Sequence, residues 1–447
     1  MAKRATKKTA RKKKAGPKRT PAAKALVLDL AGVHTLPPQE YLPTRNDILN
    51  AYLGGGLLVG CFNEIAGDPG LFKTTFLVEC AVDVINEVYP IAKDGVVLIF
   101  DREGRIKEGR VTTLGGPLHH PRWIHHTNQP YTLTIEHVFE ECAKTICRVR
   151  EHDLLKVKVA IEGTGTDSDR AAAYYADVLK TGKNRPAISK ALGNKWNLLR
   201  TEDRTLIFVG IDSMTAMPSD AVMSVATKMK PESSNADERE VARREEHQTT
   251  NQPGREALSW SMAFRNCTWM DDRVVGVSTA QMRTRGLMKG SGGYSAPAVS
   301  SAGEFYGRVR IVVHPASGGA LYQAPDGNIL MTAKTNDDKR HQIGWNLIYR
   351  VKKTATGVMC PVPAFMLGIS GTDRANTVFE YLASAKIIEA AGGWYSVNED
   401  MLTAAGTTLA IGKFQRASFI QRLYAENIHA WARLIRWRVG KTMETTT

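Results

Sequence analysis

Residues 64–75 read Glu64-Ile65-Ala66-Gly67-Asp68-Pro69-Gly70-Leu71-Phe72-Lys73-Thr74-Thr75, and this stretch carries the strongest signal in the chain. A glycine, four residues, one further residue and then Lys-Thr is the spacing of a phosphate-binding loop that opens a helix. In such a loop the backbone N–H groups surround a polyphosphate, the lysine reaches the terminal phosphates, and the threonine hydroxyl binds Mg²⁺. Phe72 departs from this pattern, because a second glycine normally stands at its position.

The sequence on both sides of the loop fits this interpretation. Residues 54–60 are rich in glycine and predict a turn, and residues 61–65 predict a short strand. Residues 76–85 carry the apolar spacing of a helix. Strand, loop and helix therefore follow in the order that a phosphate-binding loop requires. The alternative is an ordinary Gly/Pro surface turn before a helix. The residues predicted to contact the phosphates are Gly67, Asp68, Pro69, Gly70, Leu71, Phe72, Lys73, Thr74 and Thr75.

Positive charge is concentrated at the N-terminus. The 447-residue chain has a formal net charge of +15, and residues 1–24 contain eleven lysines and arginines with no acidic residue. A run of this composition cannot bury a core, so we expect a disordered arm that contacts a polyanion such as nucleic acid. The alternative is a tail that serves solubility or targeting.

Cysteine content and hydropathy limit the class of protein. The six cysteines are scattered without the paired spacing of a metal site, and most of them stand in apolar stretches. This pattern favours reduced, mostly buried thiols in an intracellular protein. The chain has no apolar run of membrane-spanning length and no apolar stretch of a signal peptide at its N-terminus. We therefore expect a cytoplasmic location and no membrane partner.

Three more apolar runs end in polar residues. Residues 96–100 precede Asp101-Arg102-Glu103, residues 206–211 precede Asp212, and residues 274–280 precede Gln281. Buried parallel strands read as continuous apolar runs, and open α/β sheets bind ligands at the carboxyl ends of their strands. The sequence therefore predicts an α/β fold with a mostly parallel twisted sheet and a ligand site at one edge.

Each of these polar residues has a chemical role available to it. Asp212 can hold Mg²⁺ together with Thr74, and Glu103 can polarise a water that attacks the terminal phosphate. Gln281 can sense that phosphate and pass its presence to the loop that follows. The alternatives are a helix N-cap for Asp212, a surface charge for Glu103 and a polar strand end for Gln281.

Taken together, these motifs resemble those of the RecA recombinases. The matching segments are residues 44–56, Asp101-Arg102-Glu103, Ile211-Asp212-Ser213, Thr279-Ala280-Gln281-Met282-Arg283, Gly303-Glu304-Phe305-Tyr306 and residues 387–396. They resemble, in order, the lead into the ATP loop, the catalytic Asp-x-Glu, the Walker B strand, the Asn-Gln switch, the exit of the second DNA-binding loop and a C-terminal motif of bacterial and phage members. The last match is the most specific, and the resemblance spans about residues 43–430. Phe72 before the lysine is similar to the phage UvsX-type branch.

The resemblance implies a domain layout and a function. It implies an N-terminal subunit-contact segment over residues 25–42, a RecA-type P-loop ATPase core over 43–368 and a small α/β C-terminal domain over 369–447. ATP and Mg²⁺ would be the cofactors, and the protein would form head-to-tail helical filaments on single-stranded DNA. It would pair that strand with double-stranded DNA, with loader and single-strand-binding proteins as further partners in a nucleoid or a phage-infected bacterial cytoplasm. The alternatives are a ring-forming DNA helicase and a hydrolysis-deficient filament protein.

The chain departs from the family at four places. Residues about 150–204 predict an insertion with its own strand and helix, and residues about 218–254 predict an expanded first DNA-binding loop. Glu304 stands where the family has a lysine at the subunit interface, and together with Phe72 it suggests the hydrolysis-deficient alternative. Arg110 stands near the position of an adenine-stacking tyrosine, where it can stack on the base by a cation–π contact.

The segment after Gln281 predicts a DNA contact. Its glycines favour mobility, its cations can meet phosphates, and its large side chains can insert or stack between bases. A Gly/Ser-rich linker is the alternative reading, but the position directly after a phosphate sensor favours DNA binding. The candidate DNA-binding residues are Arg283, Arg285, Met288, Lys289 and Tyr294.

Two later features complete the predicted site and core. Lys352 and Lys353 follow a predicted strand over residues 345–350, and the resemblance would place them against the ATP of a neighbouring subunit. Their charge could stabilise the transition state from there, whereas the alternative is a pair of solvated lysines on an edge strand. Trp394 and Tyr395 are predicted to belong to the core of the C-terminal domain.

Overall fold

The computed structural model describes residues 39–117, 119–127, 133–162, 203–218, 252–265, 267, 273–285, 294–297, 307–323, 329–330, 342–354 and 360–446. The chain divides into two compact units, Met1–Gln39 and Glu40–Thr447. The predicted basic tail over residues 1–24 lies outside the described residues. So do most of the segment 25–42 and most of the predicted expanded loop at 218–254.

The described strands and helices alternate along the first half of the chain. The strands are β1 (Tyr41–Leu42), β2 (Leu57–Leu58), β3 (Cys61–Gly67), β4 (Val96–Asp101), β5 (Trp123–Thr127), β6 (Ile207–Asp212), β7 (Val274–Arg285), β8 (Tyr294–Pro297), β9 (Gly307–Gln323), β10 (Ile329–Leu330), β11 (Gln342–Lys353), β12 (Pro361–Leu367), β13 (Gly371–Thr372), β14 (Ile388–Ala391) and β15 (Trp394–Val397). The longer helices are α1 (Asp47–Leu53), α2 (Lys73–Ile85), α3 (Glu108–Thr113), α4 (Ile135–Glu162), α5 (Gln252–Arg265), α6 (Arg374–Ser384), α7 (Glu399–Ala404) and α8 (Ile428–Thr446). Short helical turns occur at Pro90–Ala92, Met214–Ala216, Arg416–Ser418, Phe419–Leu423 and Tyr424–Glu426.

One large mixed sheet organises the unit. Its strand order is β13-β12-β11-β9-β3-β7-β6-β4-β5. The six strands from β9 to β5 run parallel, and β11, β12 and β13 continue the sheet in antiparallel pairing beyond β9. The prediction of an α/β fold with a mostly parallel sheet is confirmed. The strand β3, which precedes α2, lies between β7 and β9, well inside the sheet.

Two apolar cores cover the two faces of this sheet. Alternate residues of a strand point to opposite faces, so Val97 and Ile99 of β4 enter one core while Leu98 and Phe100 enter the other. Helix α2 fills the first core, and helices α4 and α5 fill the second. The near-continuous apolar runs of β4 and β6 follow from burial on both faces.

The C-terminal segment shares the first core. Phe419 and Trp431 are fully buried in the same apolar cluster as residues of α2. The prediction that Trp394 is a core residue is wrong, because its side chain is 47% exposed. It lies at the turn of the separate two-stranded sheet β14–β15, which leaves this end of the hairpin uncovered. Tyr395 is half-buried and packs edge-on against Phe379, with ring centroids 4.9 Å apart.

The fold shows the state of the cysteines and the place where the predicted insertion begins. None of the six cysteines forms a disulfide; Cys61, Cys80 and Cys142 are buried and the other three are partly buried. Helix α4 runs through to Glu162, so the predicted insertion begins inside a helix, and residues 163–202 lie outside the described part. Among the described residues, no helix has both the length and the apolar character needed to cross a membrane.

A buried carboxyl group on α2 makes the stability of the fold depend on pH. Glu79 accepts hydrogen bonds from the Thr372 backbone N–H at 2.5 Å and from its hydroxyl at 2.7 Å. Burial raises the pKa of Glu79 from 4.5 to about 7, although Thr372 and Arg45 oppose the shift. Between these two values the folded protein binds a proton that the unfolded chain has lost, so stability falls as pH rises through this window.

We expect Glu79→Gln to remove much of this dependence, because the amide stays neutral at every pH. The wild-type Tm should drop between pH 5 and pH 8 by more than the Tm of the variant, with a stability difference of at most about 3 kcal/mol. Asp83, whose pKa burial also raises, titrates in both proteins and therefore cancels in the comparison. Glu399→Gln at an exposed position is the control. Parallel pH profiles for wild type and Glu79→Gln would contradict the assignment.

Candidate active site

Two residues of the loop between β3 and α2 have a left-handed backbone conformation. β3 ends at Gly67 and α2 begins at Lys73. Gly70 and Phe72 both adopt left-handed conformations, with φ of 81° and 56°. A left-handed residue other than glycine is disfavoured by roughly 1–2 kcal/mol. Phe72 thus keeps the backbone conformation that suits the glycine expected there, while its ring packs at the edge of the first core.

Lys73 is folded over this loop. Its ammonium group donates a hydrogen bond to the Asp68 carbonyl oxygen at 2.7 Å, and the residue is largely buried. Burial lowers the pKa of Lys73, and the negative charges of Asp212 and Glu103 oppose that change. The side chain therefore has one backbone contact to release and two carboxylates nearby, which suits a cation that moves onto an incoming phosphate.

Asp212 receives two hydroxyl hydrogen bonds at the end of β6. The Thr74 hydroxyl donates to Asp212 Oδ2 at 2.8 Å, and the Thr279 hydroxyl donates to Oδ1. Burial raises the pKa of Asp212, and these two hydrogen bonds oppose the shift. The carboxylate therefore faces α2 and β7. It does not cap a helix.

The pair of Thr74 and Asp212 fits a magnesium ion. Both supply hard oxygen atoms, and Mg²⁺ in nucleotide sites is held by one or two protein oxygens, substrate phosphates and water. Within the described ranges, no group of three or more His, Cys, Asp or Glu side chains could hold a metal ion. A metal at this position would therefore depend on the phosphates for most of its ligands.

Glu103 lies on the turn after β4, inside a network of donors. Its Oε1 accepts hydrogen bonds from the Ser213 hydroxyl at 2.5 Å and from Gln281 Nε2 at 3.1 Å. Its Oε2 lies 2.8 Å from Arg105 Nε, and the Glu103 side chain is only 11% exposed. Glu103 is therefore a positioned carboxylate and not a freely solvated surface charge.

The structure brings the predicted residues together at one sheet edge. Lys73 and Thr74 follow β3, Glu103 follows β4, Asp212 ends β6, and Gln281 lies on β7, the strand between β3 and β6. Parallel pairing brings these side chains together, because the carboxyl ends of parallel strands meet at one edge of the sheet. The arrangement places a lysine, a hydroxyl, two carboxylates and an amide around the β3–α2 loop.

A scan of the chain against protein-family models gives no match. A search of curated protein sequences gives none either. We therefore infer the function from the residues and geometry of this chain.

Three contacts of the site were absent from the sequence prediction. Thr279 could have been found, because it stands two residues before Gln281 and strand alternation places both on one face of β7. Ser213 follows Asp212 directly, but its bond to Glu103 crosses 110 positions of sequence. The Arg105 ion pair depends on the shape of a turn that the sequence alone does not specify.

Arg110 also lies beside the loop, in contact with α2. Its Nη2 donates to the Thr75 hydroxyl at 2.6 Å, and its Nη1 donates to the carbonyl oxygens of Gly368 and Ile369. Burial lowers the pKa of Arg110, and the charge of Glu79 opposes the shift. The guanidinium is thus held between the first turn of α2 and the β12–β13 turn. Its contact with a nucleotide base stays a prediction.

Lys352 and Lys353 lie inside β11, and the prediction that they follow the strand is wrong. Pairing with β9 extends β11 through Lys353, which stands opposite Arg310. Arg310 in turn stands opposite Glu64 of β3, three residues before Gly67. The two lysines therefore lie level with the middle of β3 and not with the loop of their own subunit. A role at a neighbouring subunit stays a prediction.

The segment after Gln281 begins as a hairpin and not as a loop. β7 continues to Arg285 and pairs with β8, with Arg283 opposite Ala296 and Arg285 opposite Tyr294. The prediction of a mobile loop over residues 283–294 is wrong at both ends, because cross-strand hydrogen bonding extends the sheet there. Met288 and Lys289 fall outside the described residues, as does the segment 303–306.

Proposed function

We propose that this protein is an ATP-dependent DNA recombinase with a RecA-type core. It binds ATP at the β3–α2 loop, assembles head-to-tail into helical filaments on single-stranded DNA, and promotes pairing and strand exchange with double-stranded DNA. DNA binding stimulates its ATP hydrolysis. The observation that carries the proposal is the convergence of Thr74, Asp212, Glu103 and Gln281 at one edge of the sheet.

Each residue of the cluster has a role in phosphate chemistry. The backbone N–H groups at the start of α2 and the Lys73 ammonium bind the phosphates, where the helix dipole favours negative charge. Mg²⁺, held by Thr74 and Asp212, would neutralise part of the phosphate charge. Glu103 orients and deprotonates the attacking water as a general base. Ser213 and Arg105 hold the Glu103 carboxylate in place.

The β7–β8 hairpin connects this chemistry to DNA. Gln281 donates to Glu103 and lies two residues before Arg283 on the same strand. A change at the terminal phosphate that moves Gln281 also moves the cations beyond it. Arg283 and Arg285 meet the DNA backbone, and Tyr294, opposite Arg285, stacks on a base.

ATP hydrolysis measured with and without single-stranded DNA tests the proposal directly. We expect a low rate that rises on addition of DNA, together with open helical filaments in electron micrographs. Closed hexameric rings would favour the helicase alternative. ATP binding and filaments without turnover would favour a hydrolysis-deficient protein. Absence of nucleotide binding would reject all three.

The double variant Arg283→Ala/Tyr294→Ala should weaken DNA binding and reduce DNA-stimulated hydrolysis. The hydrolysis rate without DNA should change little, because neither residue belongs to the phosphate loop. Loss of one phosphate cation and one stacking ring should raise the DNA Kd by at least about tenfold, since each stacked base contributes about 1–3 kcal/mol. Arg148→Ala, on the exposed side of α4, removes a charge elsewhere and is the control. Unchanged DNA affinity in the double variant would place the DNA contact elsewhere.

Removing residues 2–24 should weaken DNA binding chiefly at low salt and leave ATP-dependent filament formation in place. The segment has eleven cations and no acidic residue, so it adds electrostatic contacts without a packed site. Each phosphate contact contributes about 0.7 to the log–log salt slope on single strands, so the truncated protein should show a shallower slope. DNA titrations at several salt concentrations measure it. Identical slopes would leave solubility or targeting as the role of the tail.

A further inference from the structure

The turn that carries Glu103 is anchored on both sides. Before Glu103, the Arg102 N–H donates to the Asp212 carbonyl oxygen at 2.8 Å. After Glu103, the N–H groups of Arg105 and Ile106 donate to the two carboxylate oxygens of Asp101, at 3.1 Å and 2.8 Å. Asp101 therefore closes the turn over the residues that contain Glu103.

Asp101 is suited to this task because it is fully buried at the end of β4. Its ionised carboxylate offers one acceptor oxygen to each of the two backbone donors. Burial opposes ionisation, but contact with His125 and the two N–H groups lowers the pKa of Asp101 overall. The chain reverses at Gly104, at φ of 64°, where a side chain would be strained.

His125 approaches Asp101 from the neighbouring strand. Its Nε2 lies 3.8 Å from Asp101 Oδ2, the oxygen that also accepts from Ile106, and the His125 side chain is 16% exposed. Within the described part of the chain this buried nitrogen has no hydrogen-bond partner. It is directed at the carboxylate from β5, the last strand of the sheet order on this side. The adjacent His126 stacks on Phe100, on the opposite face.

We propose that Asp101 and His125 form a positioning pair that holds the Glu103 turn in its reactive geometry. The inference rests on the proposed hydrolytic function, because it assigns the pair to the reaction of Glu103. Asp101 fixes the backbone after Glu103, and His125 fixes the orientation of the Asp101 carboxylate. Neither side chain contacts the phosphate loop, so both act through Glu103. A displacement of about 1 Å of a reacting group can cost about 10²-fold in rate.

Variants of Asp101 and His125 test the positioning role, because such a role predicts a loss of kcat without a matching change in the Kd for ATP. Asp101→Asn replaces one acceptor oxygen with an amide donor that faces a backbone N–H. We expect kcat to fall about 10²-fold while the Kd for ATP changes less than about twofold. His125→Phe should lower kcat in the same sense, and His125→Gln should restore most of it, because its amide can donate to Asp101. His126→Gln is the matched control and should leave kcat unchanged.

Backbone hydrogen exchange provides a readout that is independent of catalysis. The amide protons of Arg105 and Ile106 should exchange faster in Asp101→Asn and in His125→Phe than in wild type, with the core strands unchanged. Wild-type kcat and wild-type exchange in either variant would overturn the inference. If Asp101→Asn fails to fold, the inference is tested by comparing His125→Phe with His125→Gln. Equal kcat in these two variants would overturn the inference.

The outcomes also separate this inference from the proposed function. If the wild-type protein binds ATP but does not hydrolyse it, the hydrolytic function is rejected, and the positioning role is rejected with it. This holds even if slow exchange of the Arg105 and Ile106 amide protons shows that the turn is held in place. If the wild-type protein hydrolyses ATP, and Asp101→Asn and His125→Phe lose ATP affinity as much as kcat, the proposed function is retained and the positioning role is rejected.

Discussion

Lys73→Ala should abolish ATP turnover and ATP-dependent DNA binding while leaving the protein folded. The Lys73 ammonium hydrogen-bonds only the Asp68 carbonyl oxygen among the described residues, and no apolar cluster depends on it. The alanine variant therefore loses a phosphate ligand without losing core packing. Removing a single preorganised donor from a reaction site costs about 10²–10³-fold in kcat, and a charged donor at a phosphate should cost at least as much. Steady-state phosphate release and nucleotide titration measure both losses.

Lys93→Ala provides the matched control for this experiment. Lys93 is an exposed lysine at the end of the short Pro90–Ala92 turn, and its loss removes the same charge from the protein. Its hydrolysis rate should equal that of wild type, and circular dichroism should match in all three proteins. Hydrolysis by Lys73→Ala at the wild-type rate would reject the phosphate-loop assignment.

Glu103→Gln should leave ATP binding intact and slow hydrolysis by about 10²–10⁴-fold, the usual cost of losing a general base. The substitution keeps the shape of the side chain, and its amide oxygen can still accept from Ser213 and Gln281. The negative charge beside Arg105 is lost, but the Arg105 side chain is half-exposed, so water can solvate its charge in the variant. Because hydrolysis is blocked and binding is not, filaments formed with ATP should persist longer than those of wild type.

Glu108→Gln is the control for the charge change. Glu108 lies on α3 and its side chain is mostly exposed, with a long contact to the still more exposed His119. Its hydrolysis rate and filament lifetime should match those of wild type. A Glu103→Gln variant that turns over ATP as fast as this control would show that another group activates the water.

Local patterns predicted the centre of the fold well, for reasons that the structure makes clear. The strands β4 and β6 are buried on both faces, so each reads as an apolar run that ends in an aspartate. Helix α2 is buried over almost its whole length within the first core, so residues 76–85 show mostly apolar side chains. Parallel pairing then brings the strand ends together, and this is why the sequence alone predicts that Asp212, Glu103 and Gln281 lie close together.

The errors arise where tertiary contacts override local composition. Glycines and cations around residues 283–294 predicted a mobile loop, but pairing between β7 and β8 orders both of its ends. The same effect carries β11 through Lys353. Trp394 is predicted to lie in a core as a large aromatic residue, whereas a two-stranded hairpin leaves it exposed. The sequence also does not predict the hydrogen bonds that hold the Glu103 turn, because their donors are backbone N–H groups, which leave no pattern in side-chain types.

The unbroken strand from Gln281 to Arg285 behaves mechanically as a lever. Four residues of extended chain span about 13 Å, and paired strands bend far less easily than a glycine-rich segment does. In the proposed function, a displacement of Gln281 on nucleotide binding would carry Arg285 with it, because residues 281–285 form one paired strand with no glycine at which to bend. The response to nucleotide would then need no disorder-to-order change in this part of β7.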